Sequence, residues 1–589
     1  MYYIGIDFGH GETTVSRVPG VNGSIVSQIA IKQSSKSDDK KIISAICKKN
    51  NKWSLVQGEQ DFRLDDLREG FKGMISLMTD SDKEAMREFA KLIFAAILKN
   101  DTSLEYIDND NRNFKLGIAC PSDWIREDPK AQQDYLDFFR NECGLPVDHC
   151  IKESDAAFFT KFCGNEYAVN DNVFVIDLGS STIDFTTYSN SKCISNCCWG
   201  ANLGAHRIED ALMPYVKSGS SAPNIETLIN FRNVNGFAGN IDSAISLFVR
   251  TQKEKYYTES QQSYSLAVRY DYLTPRWTGP KWEICIGYEA SIEEFDKIIA
   301  NYKLSIKETL RNAKIRLNTN GITPNRVLLS GGASRMPFIR EYVEDVFGVH
   351  VDVDPQPECV VSNGIALYSE AFDNAFRELG SILRGVDFAT IYRDADTAAT
   401  AKAIERLIPS VVAQIKQDSG CTGDRMRKMF CNFIRGLDEN NDTFKELVSS
   451  ELNATISSKA AGAISSAYKR VFKIDVDTSD VKIQVEADII PFASSNFEEG
   501  GGWYNRITEY IKKSSGCMFD GAFFTWDQAR DFDERCRIAD GVKSFLVSSS
   551  MNISYPNLDE IVKKIVTQAA DYTIRIFKEK QLFETTFKQ

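Results

Sequence analysis

The sequence is poor in histidine and lacks the cysteine spacing that metal sites need. Only four histidines occur among its 589 residues. The fourteen cysteines form no CxxC pair followed by a second such pair, and Cys197 and Cys198 are adjacent. Structural zinc sites combine Cys and His ligands at regular short spacings. The pattern therefore disfavours a metal or disulfide framework and indicates reduced structural thiols in a reducing cytosol.

Long apolar runs and basic stretches are also missing. No apolar run approaches the roughly 20 residues of a membrane-spanning helix. The first residues, MYYIGIDFGHGETT, show no basic segment followed by an apolar run, so no signal peptide is expected. The net charge of −12 is spread along the chain without a basic stripe, which disfavours nucleic-acid binding. We expect a cytoplasmic protein of several domains, since domains average roughly 100–200 residues.

One strand-and-turn pattern occurs twice. Residues 3–16 and 173–188 each read as a buried apolar strand, an Asp-x-Gly turn with small polar residues, and a second strand. Asp177 follows Asp7 by 170 positions. Apart from chance agreement of two short segments, such a repeat indicates a duplicated α/β unit with two similar lobes that face each other.

The two turns have the chemistry of a phosphate and magnesium site. A glycine just after a strand, such as Gly9 or Gly179, lets backbone N–H groups approach an anion closely. Hydroxyl groups of Thr and Ser in the same turns add donors. The strand-end carboxylates of Asp7 and Asp177 suit Mg²⁺, which keeps several waters and takes one or two carboxylates plus phosphate oxygens. Two such turns face to face would hold a triphosphate from both sides.

A third cluster follows a later strand, in the sequence LLSGGASRMP at residues 328–337. Gly331 and Gly332 offer a backbone surface without side chains, against which a purine and ribose can pack. The alternative is a plain strand-to-helix connection that needs positive φ. Together with the two Asp-x-Gly turns, the nucleotide interpretation is favoured.

These segments carry a family resemblance. IGIDFGHGETT, VIDLGSSTIDF and LLSGGASRMP follow the order of the phosphate-one, phosphate-two and adenosine motifs of the actin, hexokinase and heat-shock ATPase superfamily. Within it, residues 1–372 resemble the ATPase domain of heat-shock protein 70 (DnaK-type). Further similar segments are the strand LGIACP, the helix start KESDAA, the turn ANLGA and the helix ECVVSNGIA. The resemblance implies an actin-like, ribonuclease-H-like α/β fold that binds ATP or ADP with Mg²⁺ and hydrolyses ATP.

The resemblance also implies residue roles. Asp7 and Asp177 would organise the Mg²⁺ and its waters, Lys72 would reach the γ-phosphate, and Glu153 would orient the attacking water. Thr182 is expected beside them in the catalytic group. The expected nucleotide contacts are Gly9, His10, Gly11, Thr13, Thr14, Gly179, Ser180, Ser181, Gly204, Ala205, Lys253, Gly331, Gly332, Ser334 and Arg335.

Two departures from the family pattern bear on activity. His10 and Gly11 stand where the family usually has two threonines, and Ser180 and Ser181 stand where it has glycines. The added side chains near the phosphates put the hydrolysis rate in doubt more than binding, so we expect slow hydrolysis.

The carboxyl-terminal third departs more strongly. We expect lobe I at about residues 1–172, lobe II at about 173–372, a linker region at 373–395, and a mainly α-helical domain at 396–589 with one strand at 481–490. No β-sandwich pattern appears there. Most of its apolar helix stripes, such as the one that contains Ile404 and Ile408, are interpreted as the core of that domain.

Three functions fit this reading. The favoured one is a chaperone-like ATPase whose nucleotide state controls the binding of a protein partner or client through the carboxyl-terminal domain, with or without a cochaperone. The alternatives are an actin-like filament-forming ATPase and a small-molecule kinase of the same fold, for which Asp184 would be the catalytic carboxylate. Glu153 in its alanine-containing helix and the GGxSRxP segment favour the first.

Overall fold

The structure of the chain is a computed structural model. The structure divides into two compact units, Met1–Asn374 and Ala375–Gln589. The residues that it describes are 1–20, 26–31, 41–49, 52–57, 67–163, 167, 171–189, 192–218, 226, 241–259, 261, 263–271, 283–418, 421–437, 441–472, 476–485, 502–515, 532–548 and 557–579.

All the strands that the structure describes lie in the first unit. They are β1 (Tyr2–Phe8), β2 (Glu12–Pro19), β3 (Ser27–Gln28), β4 (Lys41–Ile43), β5 (Ala45–Lys49), β6 (Lys52–Leu55), β7 (Leu67–Glu69), β8 (Phe114–Cys120), β9 (Val147–Lys152), β10 (Asn172–Leu178), β11 (Ile183–Ser189), β12 (Lys192–Cys193), β13 (Trp199–Ala201), β14 (Ser263–Asp271), β15 (Glu283–Ser291), β16 (Arg326–Ser330) and β17 (Val351–Val353).

The helices occur in both units. Those of the first unit are α1 (Asp80–Asn100), α2 (Ser122–Glu127), α3 (Ala131–Asp137), α4 (Glu153–Cys163), α5 (His206–Lys217), α6 (Ile241–Thr258), α7 (Ile292–Ile298), α8 (Ala300–Thr319) and α9 (Pro337–Phe347). Helix α10 (Val360–Arg384) crosses the boundary. The second unit continues with α11 (Phe388–Gln417), α12 (Gly423–Arg435), α13 (Asp442–Phe472), α14 (Gly502–Ser515), α15 (Phe532–Ser548) and α16 (Leu558–Glu579).

Local signals in the sequence set several helix ends. The Thr79 hydroxyl accepts a hydrogen bond from the first turn of α1, and Ser291 with Glu294 forms a reciprocal capping box at the start of α7. Helix α9 has Pro337 in its first turn and ends at Gly348, which has a φ of 68°. Proline at the start and glycine at the end satisfy the backbone preferences of helix termini.

The two main sheets of the first unit share one strand order. The first runs β3-β2-β1-β8-β9 and the second runs β12-β11-β10-β16-β17. In each sheet the first two long strands are antiparallel, and the second of them is parallel to the two strands that follow. The registers set Asp7 opposite Thr14 in one sheet and Asp177 opposite Asp184 in the other. The unit is therefore a mixed α/β fold in which both Asp-x-Gly turns lie at equivalent strand ends.

Each sheet has its own hydrophobic core. The core of the first sheet packs β1, β2 and β8 against α1, with Phe8 stacked on Phe139 at a ring separation of 4.7 Å. The core of the second sheet packs β10, β11 and β16 against helices that include α5, α8 and α9. Strands buried on both faces read as continuous apolar runs, which is why β1 and β10 were recognisable from the sequence.

The regular elements described within residues 375–589 are helices. Helix α11 packs against α13, α15 and α16, and its stripe of Ile404, Ile408, Val412 and Ile415 is buried in this bundle. The strand expected at 481–490 is wrong for Val481–Val485, which forms no strand; the remaining positions lie outside the described residues. Alternate side chains of this segment are buried, so the apolar alternation in the sequence reflects an extended segment that packs on helices. The backbone N–H of Ile483 donates a hydrogen bond to the side chain of Ser457.

The expected linker at 373–395 is largely helical. Helix α10 extends to Arg384, and α11 begins at Phe388 after a short turn, where the side chain of Asp387 accepts a hydrogen bond from the N–H of Thr390. Among the residues that the structure describes, no helix is both long enough and apolar enough to cross a membrane.

Candidate functional site

The ends of β1 and β10 open into one cavity of about 300 Å³. Asp7 lies at the end of β1, and Asp177 lies at the end of β10. Both carboxylates line the cavity, together with Lys72, Glu153 and Thr182. The structure thus brings together the five residues for which the sequence predicted a catalytic role.

Burial dominates the electrostatics of the two aspartates. It raises the pKa of Asp7 to about 8, while Lys72 partly opposes the shift. Burial and the nearby Glu153 raise the pKa of Asp177 to about 7. The Oδ1 atom of each aspartate is buried and has no hydrogen-bond partner within the described part of the chain. A buried carboxylate oxygen without a hydrogen-bond partner destabilises the fold unless a cation or a hydrogen-bond donor binds to it.

Lys72 and Glu153 form an ion pair beside these aspartates. Lys72 follows β7 in an irregular segment, and Glu153 is the first residue of α4, directly after β9. The Nζ of Lys72 donates to Oε1 of Glu153 at 2.6 Å, and the two side chains are 8% and 12% exposed. Burial alone would lower the pKa of Lys72, but Glu153 and Asp7 raise it above its usual value. Lys72 therefore carries a positive charge into the cavity.

The first turn contributes backbone and a neutral histidine. Gly9, His10, Gly11 and Thr14 line the cavity. Burial, with the nearby charge of Arg250, lowers the pKa of His10 to about 4, so the imidazole is neutral near pH 7.

Thr13 does not reach the cavity, contrary to the expected nucleotide contact. Its hydroxyl is fully buried and shares a hydrogen bond with Ser44 at 2.9 Å. Ser44 in turn donates to the carbonyl of Gly9 at 2.7 Å. Side chains alternate between the two faces of a strand, so Thr13 supports the turn from behind while its neighbour Thr14 faces the cavity.

The second turn places Gly179, Ser180, Ser181 and Thr182 on the cavity wall, next to Ala205. The Thr182 hydroxyl donates to Asp184 at 2.7 Å, and burial raises the pKa of Asp184 to about 7. The buried hydroxyl of Ser180 has no hydrogen-bond partner among the described residues.

Gly204 lies behind this turn and does not line the cavity, unlike its expected role. A Cβ on Gly204 would lie 2.2 Å from the carbonyl oxygen of Ser180. The glycine is needed because two backbone segments pass closely here, and its N–H donates to the carbonyl of Ser181. Its function is to hold the second turn in place.

The glycine turn after β16 forms another wall. Gly331 has a φ of 82°, and Gly332 and Arg335 line the cavity. Arg335 donates to both carboxylate oxygens of Glu358, at 2.9 and 3.0 Å. Ser334 was expected to flank the nucleoside but is buried, and its hydroxyl donates to the carbonyl of Gly331.

Helix α6 presents a face of the cavity that the sequence revealed only in part. Lys253 was predicted there, whereas Arg250, Glu254 and Tyr257 were missed. Positions three, four and seven apart lie on one helix face, so this spacing around Lys253 could have identified them. Arg250 and Lys253 both lie against the buried carboxylate of Glu209, with Lys253 at 2.6 Å.

Other missed residues are charged or aromatic. Glu12, Lys41, Trp124 and Glu358 also line the cavity. Burial, with the nearby Glu12, raises the pKa of Glu254 to about 7. Glu12 lies in the segment IGIDFGHGETT and Glu358 begins the segment ECVVSNGIA, so both stood in motifs that the sequence had shown; no motif pointed to Lys41 or Trp124.

The donor set fits Mg²⁺ held with a nucleotide. No group of three or more His, Cys, Asp or Glu side chains within the described ranges is arranged to hold a metal ion by protein ligands alone. Two orphaned aspartate oxygens at one cavity suit an ion that takes its other ligands from phosphate and water. Asp7 and Asp177 are the residues that would hold it.

The comparisons with known proteins all find similarity to chaperones of the Hsp70 and DnaK type. A family model described as Hsp70 protein matches residues 239–390. The chaperone protein DnaK of Thermoplasma volcanium is 24% identical over 241 residues, which cover 40% of this chain and 37% of the relative. The DnaK of Methanothermobacter thermautotrophicus is 27% identical over 227 residues, 37% of this chain and 35% of the relative. The mitochondrial-type heat shock protein 70 of Encephalitozoon cuniculi is 24% identical over 230 residues, 38% and 36%. The chain thus spans little more than a third of the length of these relatives.

Proposed function

We propose that this chain, an Hsp70-family protein with an actin-like ATPase fold, binds ATP or ADP with Mg²⁺ in the cavity and hydrolyses ATP slowly. One observation carries the proposal: Asp7 and Asp177, from equivalent strand ends of two sheets, meet Lys72 and Glu153 in one buried space. The equal strand orders of the two sheets support the finer view of a duplicated, two-lobed domain.

The residues supply the parts that phosphoryl transfer to water requires. These are charge neutralisation, positioning of the nucleophile and little covalent chemistry. Bound Mg²⁺ would neutralise phosphate charge. Lys72 brings a second positive charge to the same space. Glu153 has one carboxylate oxygen held by Lys72, which leaves the other to accept a hydrogen bond from the attacking water and to fix its direction.

The departures in the two turns support a slow rate. His10, neutral near pH 7, puts a larger ring where the family has a threonine hydroxyl and brings no charge to offset the change. Ser180 and Ser181 place hydroxyl groups on the wall where backbone N–H groups alone would let a phosphate approach more closely. Both features weaken stabilisation of developing charge more than they weaken binding.

The carboxyl-terminal unit is proposed to act as the partner-binding module of a chaperone. Most of the apolar stripe of α11 is used in the packing of the unit itself, so the partner surface must be formed elsewhere on this unit. A nucleotide-dependent change in the first unit would alter the module through the helical region at 373–395. By analogy with the Hsp70 family, the proposal includes a protein client, a cochaperone and a cytoplasmic location.

The test is ligand-dependent stability. Binding to the native state raises the free energy of unfolding by RT ln(1 + [L]/Kd), about 2.7 kcal/mol at a hundredfold excess over Kd. We expect Mg-ATP to raise the melting temperature clearly and Mg-GTP to raise it much less. An Asp7→Asn, Asp177→Asn double variant should lose most of the magnesium-dependent increase in melting temperature. An unchanged melting temperature of the wild type at millimolar Mg-ATP would refute the proposal.

A further inference from the structure

Two thiols of the second sheet face each other next to a short helical turn. Cys193 ends β12, and Cys198 directly precedes β13. The 3-10 turn Ser195–Cys197 brings them together, so that their Sγ atoms lie 3.3 Å apart. A disulfide bond is about 2.05 Å long, so an approach of roughly 1.2 Å joins the two sulfur atoms.

The two thiols differ in exposure. Cys193 is 8% exposed, and Cys198 is partly exposed. As a thiol, Cys198 can donate to the carbonyl of Ile194 at 3.4 Å. As a thiolate, it can accept the hydrogen bond from Cys193.

The hydrogen bond from Cys193 also lowers the pKa of Cys198 despite burial, and the pKa of Cys193 is raised in return. The partly exposed sulfur of Cys198 is therefore the better nucleophile, and its neighbour Cys193 is a protonated thiol in contact with it.

We propose that Cys193 and Cys198 form a peroxide-sensitive dithiol site, in which a hydroperoxide oxidises the pair to a disulfide. Cys198 reacts first, and Cys193 is the resolving thiol. The site is independent of the nucleotide cavity and is not needed for ATP hydrolysis.

The chemistry balances in two steps. The Cys198 thiolate attacks one oxygen of the hydroperoxide ROOH; an S–O bond forms, the O–O bond breaks, and alkoxide leaves and takes a proton to give ROH. The sulfur of Cys193 then attacks the sulfenic sulfur; an S–S bond forms, the S–O bond breaks, and the hydroxyl leaves as water with the thiol proton. Two thiols and one hydroperoxide give one disulfide, one alcohol and one water, and a dithiol reductant reverses the change.

A second thiol pair in the chain provides an internal control. Cys120 and Cys150 lie on the neighbouring strands β8 and β9, close enough for Cys120 to affect the pKa of Cys150. Both belong to the core of the first sheet, and Cys120 is 0% exposed. Burial and the neighbouring thiol of Cys120 raise the pKa of Cys150 well above its usual value. Both pairs therefore hold two thiols near each other, whereas partial solvent exposure and a lowered thiol pKa are features of Cys198.

The sequence makes the site easy to assay. Trypsin cleaves after Lys192 and after Arg207, which releases a peptide with three cysteines, Cys193, Cys197 and Cys198. The folded chain is exposed to a small excess of hydrogen peroxide and denatured in N-ethylmaleimide. The labels on this peptide are then counted by mass spectrometry. We expect three labels before oxidation and one, on Cys197, after it.

Variants assign the roles. Cys197→Ser should go from two labels to none, because the reactive pair remains. The peptide of the Cys198→Ser variant should keep both of its labels after exposure to hydrogen peroxide. Cys193→Ser should accumulate a sulfenic acid at Cys198 that dimedone traps.

Three outcomes would overturn the proposal. One is a wild-type peptide that keeps all its labels until the chain unfolds. Another is a bond that includes Cys197. The third is oxidation of Cys120 and Cys150 as fast as that of Cys193 and Cys198.

Discussion

Replacement of Lys72 tests the site most sharply, because its expected effects on stability and on hydrolysis differ in size. The 2.6 Å pair with Glu153 has a gross attraction of about 6 kcal/mol at an effective dielectric constant of 20. The cost of burying the two charges offsets much of this. Removal of one partner of a buried pair nevertheless costs about 3–5 kcal/mol, because the other charge stays buried without compensation.

We therefore expect Lys72→Ala to lower the free energy of unfolding by about 3–5 kcal/mol. Glu153→Gln should lower it less, by about 1–3 kcal/mol, because Lys72 keeps an amide oxygen as acceptor and the nearby Asp7. Both variants should slow the single-turnover hydrolysis of ATP by roughly a hundredfold or more. Chemical denaturation and rapid-quench measurements give the two quantities separately.

Lys161 offers a matched control. It pairs with Asp354 at 2.9 Å and is 9% exposed, close to the values for Lys72. It lies near the opposite end of α4 from Glu153, roughly 12 Å along the helix axis. Lys161→Ala should cost similar stability and leave the hydrolysis rate within about threefold of the wild type, a span of less than 1 kcal/mol in barrier height. Wild-type turnover in Lys72→Ala, or an equal loss of turnover in Lys161→Ala, would refute the assigned role.

Three further outcomes are expected. Because the pKa of Asp7 is about 8 and that of Asp177 about 7 in the folded chain, against 3.8 for an ordinary aspartate, the folded state without nucleotide binds more protons than the unfolded one. The melting temperature of the nucleotide-free protein should therefore fall as pH rises from 5 to 8. The rise in melting temperature caused by Mg-ATP should grow over the same range, and a rise that does not change with pH would contradict this expectation. Gly331→Ala should destabilise the chain by about 3 kcal/mol and weaken nucleotide binding, since a Cβ would lie 2.3 Å from a backbone oxygen. Gly332→Ala, with no atom nearer than 3.7 Å, should be tolerated, and equal melting curves for the two variants would sink the argument. Limited proteolysis near 373–395 should differ between the ATP and ADP states, and identical cleavage patterns would leave the second unit uncoupled from the nucleotide.

The sequence was most informative where function depends on backbone. Gly9, Gly179 and Gly331 follow buried strands, and a strand end with a glycine is a local pattern that can be read without the fold. Helices α11, α12, α13 and α16 of the second unit were likewise predictable from their apolar periodicity, whereas α14 and α15 were not predicted individually. Val481–Val485 shows the limit, because alternation of burial arises equally in a strand and in an extended segment that lies on helices.

What the sequence determined by itself is the pair of Asp-x-Gly turns and the glycine turn at 331. Each belongs to a short segment whose backbone conformation and chemistry are local, whereas the candidates Lys72 and Glu153 were named through the family resemblance. The tertiary structure alone decided which side chains face the cavity. Thr13, Gly204 and Ser334 lie behind the cavity wall and support it. Arg250, Glu254 and Tyr257 line the cavity from one face of α6. The reason is physical: the direction of a side chain and the pKa of a buried carboxylate depend on neighbours that are distant along the chain, and those neighbours are fixed only when the sheets and helices pack together.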